Sequence, residues 1–341
     1  MRVAVKTRRG FELKNGWHGS VRVKAGRSVK EIDTSRTLLN FLLRGDEIME
    51  RRQFLFSCGA AAAAMTLGAK RALAEERRPR VLYFTRSVGF EHSPVKRNGT
   101  ELSFSEKLLT EWGREANVDV VCSKDGSIFD GDLDQFDVFA FYTCGDLTKP
   151  DMYNNPPMTR EGKQKFLDAI AGGKGYVGFH SATDTFHSKG ASNENQTELD
   201  PYIAMVGGEF IVHGRQQDAA VKVACPKFPG VEPMGESSKF MEEWYALKNF
   251  AKDMHVILVQ ETEGMVDKCY QRPPFPCTWA RMHGKGRVFY TSFGHREDIW
   301  TNPKVKSLIL GGFAWAFGHA DANVAPNLNE AAPKSDVLPK G

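Results

Sequence analysis

Residues 175–187 read GYVGFHSATDTFH. Tyr176, Val177 and Phe179 are strand formers set between glycines, the composition of a buried strand packed closely against its neighbours. His180, Ser181, Asp184 and His187 then follow within eight residues. An apolar strand that breaks into proton-transferring and ligating side chains has three readings: a hydrolase's nucleophile turn, part of a metal site, or a polar loop. The flanking sequence decides the fold first.

Three more runs resemble the first: RVLYFT at 80–85, VDVVC at 118–122 and DVFAFY at 137–142. Between them lie helical patterns. Ser103-Phe104-Ser105-Glu106 matches a capping box, with Leu108, Leu109 and Trp112 at helical spacing. Thr159 can cap a helix carrying Phe166, Leu167 and Ile170, closed by Gly172-Gly173. Continuous apolar strands alternating with amphipathic helices predict an α/β fold, a doubly wound, mostly parallel sheet covered on both faces. Residues 81–84, 118–121, 138–141 and 176–179 are expected to be parallel neighbours. Ligands in such sheets sit beyond the carboxyl ends of the strands, which sends His92, Thr143-Cys144-Gly145 and His180-Ser181 to one edge.

The second half is richer in strands: GGEFIVHG, AAVKVAC, EEWYAL, HVILVQETEG, and CTWARMH joined to RVFYTSF through Gly284-Lys285-Gly286, a tight hairpin turn. A closing helix is expected over about 304–317, and residues 321–341 read as a flexible tail. With no internal repeat and no second linker, one domain over 78–320 is the economical reading.

The formal charge of +4 is unevenly placed. The first 74 residues hold 15 basic and 6 acidic side chains, leaving 31 against 36 in the remainder. A mildly acidic body has no electrostatic footprint for nucleic acid. The basic end explains itself from Met49: MERRQFLFSCGAAAAAMTLGAKRALA. Paired arginines, a short Ala-rich apolar run and an A-x-A site describe a twin-arginine-type signal over 49–74 that hands the chain to the twin-arginine export machinery. The protein is therefore expected to be periplasmic or extracellular. Residues 1–48 show no sustained period and read as a mis-called or disordered extension. Cys269 and Cys277 flank YQRPPFP and are compatible with a bridge or with two free thiols.

Four histidines, His92, His180, His213 and His295, each fall at or just past the end of an apolar run. Neutral imidazoles with a carboxylate suit a divalent metal such as zinc, although the spacing matches no fixed motif. Asp184 and Glu243 are carboxylate candidates for acid–base work, Glu243 because it precedes Trp244-Tyr245; its neighbour Glu242 reads as a solvated surface residue. Ser181 in GFHSA does not sit in G-x-S-x-G, so the signal for a nucleophile elbow is poor. His180 stands where a nucleophile would be. Trp244, Tyr245 and Trp279 are side chains on which a sugar ring can stack.

GFHSATDTFH, GGEFIVHG, EEWYAL, GKGRVFYTSFGHREDIW and GGFAWAFG, in that order over roughly 80–318, resemble the ThuA-like (trehalose-utilisation) family. The resemblance implies a flavodoxin-like fold related to class I glutamine amidotransferases, without their cysteine. Here His180-Ser181 occupies that turn, so glutaminase chemistry is not expected. Carried over by position, the family pattern marks His92, His180, Ser181, Asp184, His213, Glu243 and Gly294-His295; Glu91 departs from it, standing where a basic residue is common. The implied role is sugar-related, on disaccharides or their keto derivatives. The candidate assignments are His180, Glu243, Asp184 and Ser181 for catalysis, His92, Trp244, Tyr245 and Trp279 for a sugar substrate, and His180, His213 and His295 for a metal. A non-catalytic sugar-binding or accessory protein is the alternative.

Overall fold

Alternate residues of the strand Arg80–Phe84 (β1) serve opposite faces, and both faces are buried. Val81 and Tyr83 pack with Leu109 and Trp112 of helix α1 (Phe104–Glu115). Leu82 and Phe84 pack instead with Phe166 and Ile170 of α2 (Arg160–Gly172) and Tyr202 of α3 (Pro201–Val206). This two-sided burial is why the strand reads as continuously apolar. Each buried aromatic in these layers contributes about 1.5–3 kcal/mol.

The computed structural model describes residues 77–339, together with the backbone of two antiparallel strands, Ser20–Ala25 and Ser28–Asp33, which belong to a separate unit. The rest of the 1–48 extension and the 49–74 signal segment lie outside the described residues. Among the described residues no helix is long and apolar enough to cross a membrane.

The body is built on a nine-stranded sheet. Its parallel half contains β1, β2 (Asp119–Ser123), β3 (Val138–Phe141) and β4 (Gly175–Phe179) in the order β2-β1-β3-β4. All four are parallel neighbours, and the order is that of flavodoxin-like sheets. The ribbon strand β5 (Glu209–His213) leads to β6 (Gln217–Val223) and β7 (Ser237–Glu242). After them come β8 (Tyr245–Lys248), β9 (His255–Gln260), β10 (Phe275–His283) and β11 (Gly286–Thr291). β11 lies parallel to β4, and β10, β9, β6 and β7 continue antiparallel from it. β5 and β8 pair separately as a two-stranded ribbon.

The helix signals act as their chemistry dictates. Ser103 and Glu106 close a reciprocal capping box, Thr159 accepts from the Gly162 N–H, and Gly173 ends α2 at φ +128°. Helices α4 (Glu297–Thr301) and α5 (Pro303–Ala316) follow β11, with α5 beside α1 on the same face.

The tail differs from expectation. Residues 321–339 fold back, and Leu328 and Ala332, in and after the short helix α6 (Leu328–Ala331), are buried. Asn327 caps the start of strand β9 by accepting from Val256 N at 2.6 Å and donating to Val256 O at 3.1 Å. A run of Ala, Asn and Pro gives no periodic signal, so these anchor points were invisible to pattern. Cys269 and Cys277 are free, buried thiols.

Candidate functional site

β4 ends at Phe179, and His180 follows at φ +39°, a left-handed conformation costly for a non-glycine residue. The strain is held by its surroundings: the His180 carbonyl accepts from Tyr290 Oη at 2.7 Å. Its Nδ1 lies 2.9 Å from the carbonyl of Ser292. A carbonyl only accepts, so Nδ1 carries the proton and Nε2 keeps its lone pair. That lone pair points into a buried space where Nε2 has no hydrogen-bond partner.

Three other side chains converge there. Glu243, in the link between β7 and β8, brings Oε2 to 3.4 Å from His180 Nε2, 2.9 Å from His295 Nδ1 and 3.8 Å from His92 Nε2. The ring centroids of His92, His180 and His295 are 4.8–5.4 Å apart. One ligand atom from each of these four residues lies within 4.8 Å of all the others. His180 Nε2, His295 Nδ1 and Glu243 Oε2 are buried without a hydrogen-bond partner. Unpartnered buried polar atoms cost about 1–3 kcal/mol each, so three aimed at one point call for a common partner.

Their protonation states fit a cation. Burial drives the His180 pKa down to about 3 and lowers that of His92. Burial opposes ionisation of Glu243, yet the His180, His295 and His92 imidazoles outweigh it and hold the carboxyl well below the usual range. Neutral imidazoles and one carboxylate are the state in which a divalent ion is ligated.

The supporting contacts fix each arm. Gly294, at φ +137°, carries His295; its carbonyl accepts from Tyr142 Oη at 3.0 Å and Trp300 Nε1 at 2.9 Å. Glu242 accepts from Gly294 N at 3.0 Å and from its own neighbour Glu243 N at 2.8 Å, tying the two loops together. It is fully buried, not the solvated residue the sequence suggested, and burial pushes its carboxyl up to about 8. The signal was present: in β7, Phe240 and Glu242 share the buried face by the two-residue period. Gln216 was also missed. Its Oε1 accepts from Arg296 at 2.9 Å, and its side-chain amide lies 2.9 Å from His295 Nε2.

The remaining sequence candidates fall in different places. His213 reaches Glu243 from the outer side, Nδ1 to Oε1 at 3.4 Å, and is half-exposed. It therefore stands beside the four-residue cluster, and the group that could hold a metal differs from the set read from sequence: His92 and Glu243 join His180 and His295 in it, and His213 does not. Tyr245 forms a wall, its ring 4.1 Å from that of His180 and its hydroxyl 3.3 Å from His92 Nε2. Asp184 lies outside the cluster and pairs with His187 at 2.6 Å and Cys144 at 3.1 Å. The Ser181 hydroxyl is buried without a partner. Trp244 and Trp279 present no face to a ligand. Both are fully buried, their indoles donating to Gln217 O and Val206 O, which corrects their assignment to a sugar. Among the described residues the exposed aromatics are instead Phe90, 63% exposed with its ring against His92, and Tyr153, 48% exposed. Tyr153 donates to Glu91 at 2.6 Å, and Glu91 pairs with Lys124 at 3.1 Å.

Residues 80–316 match the family model described as trehalose utilisation, ThuA. Among solved structures, a ThuA-like protein from Bacteroides uniformis is 17% identical, with a TM-score of 0.52 over 74% of this chain and 96% of that one. Another from Parabacteroides merdae, also 17% identical, gives 0.50 over 77% and 98%. At that identity the likeness shows the shared fold. No curated protein matches significantly.

Proposed function

The chain belongs to the ThuA, or trehalose-utilisation, family, and from that premise we propose that it transforms a disaccharide or a keto derivative of one at a divalent metal centre held by His92, His180, Glu243 and His295. The observation that carries the reading is the convergence of three unpartnered buried donor atoms on one point. The donor set, three imidazoles and a carboxylate, suits an ion of the zinc class. Such an ion supplies Lewis-acid chemistry, polarising a carbonyl or hydroxyl oxygen of the sugar.

The chain's own residues supply the rest. His213 Nδ1 donates to Gly214 O at 2.9 Å, which leaves Nε2 as its basic nitrogen. Half-exposed beside Glu243, His213 is the group placed to take a substrate proton and exchange it with solvent. Phe90 offers the apolar face of a pyranose a platform beside His92. Export through the signal at 49–74 is part of the proposal and rests on Arg51-Arg52 and the apolar run behind them.

Metal analysis of the purified mature protein, followed by a turnover screen of oxidised disaccharides, tests this. About one equivalent of a transition metal is expected, lost in His180→Ala, with turnover abolished in Glu243→Gln. Protein that binds no such ion while Glu243→Gln keeps sugar affinity unchanged favours the sugar-binding alternative. For export, Arg51→Lys with Arg52→Lys should trap the chain in the cytoplasm; unimpaired secretion would refute it.

A further inference from the structure

Glu243 divides its surroundings in two: Oε2 meets the buried histidines, and Oε1 meets half-exposed His213. On the far side, His213 lines a cavity of about 700 Å³. That volume lies within the range of small-molecule pockets, roughly 300–1,000 Å³. His92, His180, Glu243 and His295 have no share in its lining, so the cavity is a second compartment joined to the site through His213.

We propose that this cavity is a subsite for the second, non-reacting ring of a glycoside, recognised by Asn193, Arg215 and Asp267. The assignment rests on the functional reading above, since it places the reacting ring against Glu243. Its lining pairs hydroxyl-binding groups with short apolar surfaces from Ile211, Val212 and Pro339, the mixture a pyranose presents. Three observations separate it from an ordinary surface hollow.

Asp267 adopts φ +79° and ψ 145°, a region otherwise left to glycine. The strain holds its Oδ2 at 3.0 Å from Arg215 N, and a side chain on Gly214 would lie 2.5 Å from that oxygen. Backbone strain of this kind clusters at active sites, ligand clamps and switch regions. Second, among the described residues the side chains of Asn193 and Arg215 make no hydrogen bond or ion pair, so both are uncommitted. Third, the wall is anchored: Asn195 Nδ2 donates to Asp336 O at 3.0 Å and Arg272 Nη2 to Ser335 O at 2.7 Å, fixing the segment that leads to Pro339.

Calorimetric titration of the zinc-loaded full chain with glucose, trehalose, maltose and cellobiose tests the subsite. At least one disaccharide should bind tenfold or more tightly than glucose, the scale of one charge-assisted hydrogen bond plus a buried ring face. Arg215→Ala and Asn193→Ala should each remove severalfold of that advantage while leaving glucose affinity unchanged. Both residues are exposed, so neither change threatens folding. Equal affinity for glucose and every disaccharide overturns the subsite, as does no binding of any of the four. Variants that weaken glucose and disaccharide together, or neither, also overturn it. Failure of the metal reading registers separately, as absence of bound zinc before sugar is added. A disaccharide advantage that Arg215→Ala abolishes in zinc-free protein still supports the subsite.

Discussion

Replacing Gly294 with alanine isolates what holds His295 in place. A Cβ there would meet His180 Cβ and Tyr142 Cε1 at 3.5 Å and Trp300 Cζ2 at 3.6 Å, ordinary contacts, so no clash contributes. The cost is the backbone: φ +137° in an L-residue is worth about 1–3 kcal/mol, offset by about 0.4–1 from the stiffened unfolded chain. The loop can escape the strain only by giving up three hydrogen bonds, to Tyr142, Trp300 and Glu242. At about 0.5–1.5 kcal/mol each, more where a buried partner is stranded, those bonds outweigh the strain. The loop is therefore expected to stay and carry it. Thermal unfolding should show a Tm lower by roughly 2–8 °C, from about 2–4 °C per kcal/mol for a domain of this class. Zinc affinity, read by competition with a chromophoric chelator, should change by less than about tenfold, below the roughly 10–100-fold cost of losing an outer-shell partner. Unchanged Tm with collapsed zinc affinity would refute the reasoning, because it would mean the loop gives way first.

The donor set can be split by comparing His92→Ala with His213→Ala: the first should lose zinc affinity by more than about 100-fold, the second by less than tenfold, and the reverse order would return His213 to the ligands. Glu242 gives a pH signature, since burial raises its carboxyl to about 8. A raised folded pKa means protons held by the fold, so this stabilisation is complete below the unfolded value of about 4.5 and is lost as pH rises through 8. Urea midpoints of the zinc-free protein across pH 5 to 9 should therefore fall more steeply for wild type than for Glu242→Gln; parallel profiles would count against a protonated Glu242. Truncation after Pro326 exposes the surface covered by Leu328 and Ala332 and strands the partners of Asn327. It should lower stability by about 3–5 kcal/mol from lost burial and hydrogen bonds, seen as a clear drop in Tm; an unchanged Tm would mean the tail is not part of the fold.

The parallel half of the sheet was legible because burial on both faces forces β1, β3 and β4 to be apolar throughout, and capping at Ser103 and Thr159 is local chemistry. His180 was legible by place, at the end of a strand whose direction the topology fixes. His92 was assigned to substrate because nothing local tells a ligand from a wall: its distance to Glu243 depends on a link 151 residues away, between two antiparallel strands. Trp244 and Trp279 misled for a related reason. An aromatic is a platform only if the next layer leaves it uncovered, and here Trp244 packs against Phe293 while Trp279, inside β10, packs against Phe250 and Tyr290. The tail was missed because Asn327 and Leu328 act singly, with no period to announce them.

His92, His180, Glu243 and His295 come from four different loops, with dozens of residues between any two. An unfolded chain therefore offers an ion no chelating pair, and loading can follow folding but not precede it. Affinity alone does not sort first-row metals, so the ion a site acquires reflects what is available where it forms. A chain exported already folded would fill the site from the metal pool of the cytoplasm and carry its choice outward; one that folded outside would take whatever the surroundings supplied. If residues 49–74 act as the export signal proposed above, that address would then decide which metal the centre carries.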